Sequence, residues 1–244
     1  MPNNKGFTLV ELMISLAMTG IIIAAVYSVY TLQQKTHTAQ DQVVEMQQNI
    51  RAATMIMEQE LRMAGYDPTS DADATFTAAT VAGFGFGQDI TNTAGTDTDG
   101  DGKLDGPNEI IGYGFAAGDA NNDGFVDAGG VSALGRSTGV GALQPIAENI
   151  QAIEFYYTVE DGTQTTSPVA DGFSLSDIRT ITISILARTA WQDPKFVNNF
   201  VYTTASGDEW GLNGRTAAGA GVPFNDNYRR RLLITTVQCR NMGL

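Results

Sequence analysis

The sequence predicts an α+β protein: one long N-terminal α-helix whose first half spans a membrane, packed by its second half against an antiparallel β-sheet. Three observations carry this. An uncharged apolar run from Leu12 to Tyr30 follows Glu11 without a break. A helical apolar stripe then continues to Ala64. Towards the C-terminus the hydrophobic period changes from about 3.6 to about 2. A run of helix followed by runs of strands is the pattern of a helix segregated to one face of an antiparallel sheet.

The run Leu12–Tyr30 holds 19 residues. At about 1.5 Å per residue this nearly matches the hydrocarbon thickness of a bilayer. Met1–Gly6 carries a single lysine, too little for an ordinary secretory signal, and the run lacks a small-x-small exit site. Glu11 opens the run, where an unpaired carboxylate is costly and reads as functional. The stretch GFTLVELMISLAM at 6–18 resembles the class III signal of type IV prepilins and pseudopilins. That resemblance implies cleavage after Gly6 by a prepilin peptidase and methylation of the new amino terminus at Phe7. It also implies that Glu11 aids assembly by pairing with a neighbouring subunit's terminal amine. An ordinary membrane anchor would account for a chance glutamate, but not for the glycine, the phenylalanine and the six-residue leader together.

Residues 31–65 continue the helix. Val43, Met46, Ile50, Ala53, Met57, Leu61 and Ala64 recur at steps of three and four, one buried stripe, with Glu58 and Arg62 placed for an exposed i,i+4 pair. Gly65 and Pro68 stop it. Residues 66–244 form the β-rich globular domain. Within it 69–96 reads as irregular with room for one short strand, Val81, Phe84 and Phe86 being its anchors. Strands follow at Glu109–Ala116 and Val131–Leu134. In Ile150–Val159, Ile153, Phe155, Tyr157 and Val159 alternate with Glu154, Tyr156 and Thr158. Arg179–Arg188 and Arg231–Arg240 alternate in the same way, the latter with Leu233, Thr235, Val237 and Cys239 on one face. Residues 189–228 read as a long loop region containing Trp191, Phe196, Phe200, Trp210 and Phe224.

Net charge is −13, and it is unevenly placed. From Asp67 to Gly130 there are twelve acids and one lysine; from Arg188 onwards there are seven Lys/Arg against four acids. No broad basic face is left for nucleic acid. The single cysteine, Cys239, cannot form an internal disulfide and reads as an inert strand thiol. His37, the only histidine, lies on the polar side of the helix. There is no nucleophile–base–acid set, phosphate loop, CxxC or HExxH, so no enzyme is read.

Later segments extend the likeness. EQELRMAGY at 58–66, PIAENIQAIEFYYTVEDG at 145–162, IRTITISILART at 178–189 and YRRRLLITTVQCRN at 228–241 resemble the PilW-like minor pilins. This implies a pilin-like fold and a low-abundance subunit of a tip complex that primes pilus assembly. The implied partners are other pilins and minor pilins, the prepilin peptidase, an inner-membrane assembly platform and a tip adhesin. The implied setting is a single pass through the bacterial inner membrane with a periplasmic domain, then the cell-surface pilus. A minor pseudopilin of a type II secretion system shares the leader, Glu11 and the architecture. A membrane-anchored calcium-binding adhesin or enzyme is a third class.

Two acidic repeats fall in 97–130, outside the likeness. The first sets Asp97, Asp99 and Asp101 at loop positions 1, 3 and 5, then Gly102, the Lys103 carbonyl and Asp105. The second sets Asp119, Asn121 and Asp123, then Gly124, the Phe125 carbonyl and Asp127. Oxygen donors at this spacing, with glycine at 6 for the sharp turn, suit Ca²⁺ more than Mg²⁺. Position 12 holds Asn108, with Glu109 next, in the first and Gly130 in the second, so neither has the bidentate glutamate of an EF-hand. Leu104 and Val126 would tie the loops to the core. Simple Asx-turns and a solvated acidic surface are the competing readings.

Overall fold

The computed structural model of the chain describes residues 6–90, 100–106, 108–127, 130–139 and 141–243. The chain divides into two compact units, Met1–Val44 and Glu45–Leu244. Helix α1, Leu9–Leu61, runs through the boundary.

In the first unit every residue from 6 to 30 is exposed, so the helix is apolar on all sides. Such a helix wants a solvent other than water. By length and composition it is long and apolar enough to cross a membrane, with a mean hydropathy of 2.3 over its most apolar window. Two of its hydroxyls are satisfied by the helix backbone. Ser15 donates to the Glu11 carbonyl at 2.6 Å and Thr19 to that of Ser15 at 2.7 Å, which is what a bilayer demands of polar groups.

In the second unit the C-terminal part of α1 buries Met46, Ile50, Ala53, Met57 and Leu61, with Ala64 just beyond. This is the stripe its spacing predicts. Gly65 stops the helix at φ +78, where a Cβ would also meet the Met242 sulfur at 2.6 Å. Glu58 and Arg62 do not form the expected exposed pair. Glu58 turns inwards and accepts from the Thr235 hydroxyl at 2.8 Å, because the sheet lies under that side of the helix.

The main sheet is antiparallel. It comprises β1 (Phe76–Ala79), β2 (Gly83–Gly87), β3 (Ile110–Phe115), β4 (Ser132–Thr138), β5 (Gln144–Val159), β6 (Gln164–Thr165), β7 (Ile178–Arg188) and, at the C-terminus, β11 (Arg230–Gln238). Their order is β1-β2-β3-β4-β5-β7-β11, with β6 added to β5. Residues 69–90 thus hold two strands where the sequence allowed one. In β2 and β3 glycines alternate with aromatics, which lowers strand propensity but builds two unlike faces. Phe84 pairs with Tyr113 across the strands, and Gly85 with Gly112. On the aromatic face Phe84 meets Phe155 edge-on, with ring centroids 4.7 Å apart. On the glycine face a Cβ at Gly85 would sit 2.6 Å from the Thr77 hydroxyl. β3 joins the two Asp-rich segments and lies between β2 and β4.

The expected loop region 189–228 contains a second, three-stranded sheet of β8 (Tyr202–Thr203), β9 (Glu209–Gly211) and β10 (Gly214–Thr216). Strands of two or three residues are too short to show a period. Phe125, Ala152, Leu186, Trp210 and Phe224 make a second core, with Tyr202 and Leu232 against it. Central β5 is therefore buried on both faces, and Glu154, expected on an outer face, is fully buried.

Candidate functional site

Three places carry the candidate functional residues.

At the N-terminus, Gly6 and Phe7 precede the helix and both are exposed. Thr8 and Glu11 form a reciprocal cap. Glu11 Oε2 accepts from the Thr8 amide at 3.0 Å and its hydroxyl at 2.9 Å, while the Thr8 hydroxyl accepts from the Glu11 amide at 3.3 Å. This is a capping box, with threonine at the cap and glutamate three residues on. It gives Glu11 a local structural role that the sequence reading did not assign. Oε1 is left without a partner among the described residues.

Of the first acidic repeat, Asp97 and Asp99 lie outside the described residues. Asp101, Lys103, Asp105 and Asn108 are exposed and Glu109 is buried. Leu104 lies against Gly87 of β2, as its place in the repeat predicts. The carboxylate holding the described part of the loop is one the sequence did not single out. Asp89 is fully buried, and its oxygens accept from the amides of Asp101 at 3.0 Å and Gly102 at 2.9 Å.

The second repeat is described throughout. Asp119 accepts from the amides of Asp123 at 3.1 Å and Gly124 at 3.0 Å, the same two loop positions that Asp89 binds in the first repeat. Backbones match as well. Positions 4 and 6 have positive φ in both: Gly100 at +76 and Gly102 at +79, Asn122 at +53 and Gly124 at +82. Asp123 accepts from the Phe125 amide at 2.7 Å, Asn121 donates to Asp123 at 2.9 Å, and Asp127 accepts from Ala120 at 2.9 Å. Burial, resisted by those two backbone bonds and aided by the charges of Asp123 and Asp127, raises the Asp119 carboxyl above its ordinary range. Among the described residues no three acid, histidine or cysteine side chains are grouped to hold a metal ion.

Gly124 has a packing reason of its own. A Cβ there would lie 2.2 Å from the Ile153 carbonyl, and the Ile153 amide donates to the Gly124 carbonyl at 2.8 Å. Val126 is buried and its amide donates to the Gln151 carbonyl at 3.0 Å. The second loop is thus stitched to β5.

Behind it lies a buried polar network that the sequence also hid. Glu154 accepts from Thr204 at 2.9 Å, from the Ser206 amide and hydroxyl at 3.1 and 2.7 Å, and from Arg215 at 3.1 Å. Arg215 also reaches Asp208 at 2.8 Å and donates to the Asp123 carbonyl at 3.2 Å. One guanidinium therefore joins β5, the small sheet and the second acidic loop. The signal in the sequence was five Trp and Phe residues in 189–228 with no assigned surface to cover.

Groups that could do chemistry are poorly placed for it. His37 is exposed and pairs with Asp41 at 2.7 Å. Cys239 is buried, which pushes its thiol up to about 12 and keeps it a neutral, poor nucleophile. A cleft of about 700 Å³ beside the end of α1 is lined by Tyr66, Asp67, Thr75, Glu160 and Arg179 among others. Its arginine is spent on Glu160 at 2.6 Å and on the Ser176 carbonyl.

Comparison with known families finds the prokaryotic N-terminal methylation motif over residues 1–27. A search of curated proteins finds no match. Among solved structures the chain is similar to a type IV-like pilin from Thermus thermophilus, at 16% identity and a TM-score of 0.43. That match covers 80% of this chain and 97% of the other.

Proposed function

We propose that the chain is a pilin-type assembly subunit, a minor pilin that works in the tip or priming complex of a type IV pilus. The observation that carries this is the N-terminus. Gly6-Phe7-Thr8-Leu9-Val10-Glu11 heads an all-round apolar helix and falls within the methylation motif match. The helix anchors the subunit in the inner membrane with the globular unit on the periplasmic side. After cleavage it supplies the apolar surface along which subunits stack. Other pilins and the assembly platform are its partners. Substituting Gly6 by tryptophan tests the reading. Full-length precursor should accumulate in the membrane fraction and processed chain should disappear from immunoblots. Wild-type levels of processed chain in that variant would refute it.

The two acidic loops are proposed to bind Ca²⁺ through Asp97, Asp99, Asp101 and Asp105, and through Asp119, Asn121, Asp123 and Asp127. Support comes from their common backbone over positions 4 to 6 and from donor chemistry suited to a hard cation. The ion would relieve the mutual repulsion of Asp119, Asp123 and Asp127. Calcium at a hundredfold excess over Kd should raise stability by about 2.7 kcal/mol. With no bidentate glutamate at position 12, Kd is expected at about 10⁻⁴–10⁻³ M. Calorimetry and melting with calcium against chelator check this, with Asp123→Ala removing the second site. No heat and an unchanged melt in millimolar calcium would return both loops to Asx-turns.

A further inference from the structure

β11 is the last strand of the main sheet, paired on one side with β7 in unbroken register from Arg230↔Arg188 to Gln238↔Thr180. The amide of Cys239 donates to the Arg179 carbonyl and that of Thr189 to the Arg229 carbonyl. Both bonds belong to the same alternating ladder, so the odd-numbered residues of β11 face β7. Leu232, Ile234, Thr236 and Gln238 therefore point their amides and carbonyls away from the sheet. Among the described residues none of these groups has a backbone partner. The open edge runs about 20 Å at roughly 3.4 Å per residue.

Natural edges of this length are blunted by proline, bulges, lysine or short strands. This one has no proline, no lysine and no break in register. Ile234 stands 45% exposed on its solvent face. We propose that the β11 edge is a strand-docking site, and that its occupant is an extended, acid-flanked segment of another polypeptide.

The charges choose that occupant. No acid follows Asp226 in the sequence. Arg229 and Arg230 are already paired with Asp193 and Asp226. Arg231 and Arg240 are exposed at the two ends of the edge, without an ion-pair partner among the described residues. A second copy of β11, running antiparallel about Thr235, would set its Arg240 opposite Arg230. Like charges across a ladder are unfavourable, whereas an acid at each end of the incoming strand meets an arginine. Main-chain bonds then supply affinity, and the alternate side chains and end charges supply specificity. Docking here does not depend on processing after Gly6, so the two fail separately.

The test uses the full chain in detergent micelles and a nine-residue peptide of alternating threonine and valine with aspartate at each end. Amide exchange should slow about tenfold or more at Leu232, Ile234, Thr236 and Gln238, and stay unchanged at the odd positions facing β7. The same peptide with lysine at its ends should bind at least about tenfold more weakly. Ile234→Pro removes an outward amide that makes no sheet bond, so it should abolish the protection while leaving the melt in place. Thr236→Pro does the same one ladder step along, should the first variant misfold. No even-position protection at about 1 mM peptide, binding untouched by both prolines, or equal binding of the lysine peptide would overturn the proposal. So would a concentration-dependent dimer of the chain that Ile234→Pro dissolves, because the occupant would then be a second copy.

Discussion

Arg215→Met is expected to destabilise the globular unit by about 3 kcal/mol, near the lower end for breaking a buried ion pair. The Glu154 side chain is fully buried and that of Arg215 is 13% exposed, so neither is well solvated. After the change Glu154 keeps Thr204 and Ser206 as neutral donors, which is why the loss is not larger. The same guanidinium also leaves Asp208 and the Asp123 carbonyl, so the small sheet and the second acidic loop loosen together. For a unit of this size the melting temperature should fall by roughly 6–12 °C. A double variant, Arg215→Met with Glu154→Gln, should recover part of the loss, since no charge is then left alone in the core. Thermal melts of the two variants against wild type measure both effects. An Arg215→Met chain that melts with wild type would show that the network carries no net stability.

Loss of assembly is the second large effect, and Glu11 is where it should appear. The capping box makes two substitutions informative rather than one. Glutamine at the third helical position can still reach back to the Thr8 amide, and alanine cannot. Neither can offer a negative charge to a neighbour's amine. If pairing is the role, Glu11→Gln and Glu11→Ala should both insert and be processed, and both should lose about tenfold or more in co-purification with partner pilins. A charge pair in a low-dielectric setting is worth several kcal/mol, ample for that loss. If only capping matters, the glutamine variant assembles like wild type and the alanine variant loses about 1 kcal/mol of helix stability.

Where the sequence spoke clearly, it spoke through period and punctuation. The stripe from Met46 to Ala64, the stop at Gly65 and the alternation of β5, β7 and β11 were legible because each carries apolar side chains on one face at a regular period, whatever covers the other face. β5 extends back to Gln144, beyond the predicted start at Ile150. Pro145 and the positive φ of Asn149 interrupt the alternation that would have announced it. The small sheet was hidden by the brevity of its strands. That concealment led to the misreading of Glu154, whose alternation assigns it to a solvent face until a second sheet covers it. Asp89 was illegible for a related reason. It stands outside the D-x-D spacing, and only the folded chain brings it under the amides of Asp101 and Gly102. The N-terminal motif needed no tertiary structure, since it is read on an exposed segment.

The central claim is that this exposed segment is a processing signal, and the mass of the N-terminal peptide from membrane-extracted chain tests it most directly. The mature chain should begin at Phe7 and carry one methyl group on its amine. A chain that begins at Met1, or at any residue other than Phe7, would contradict it.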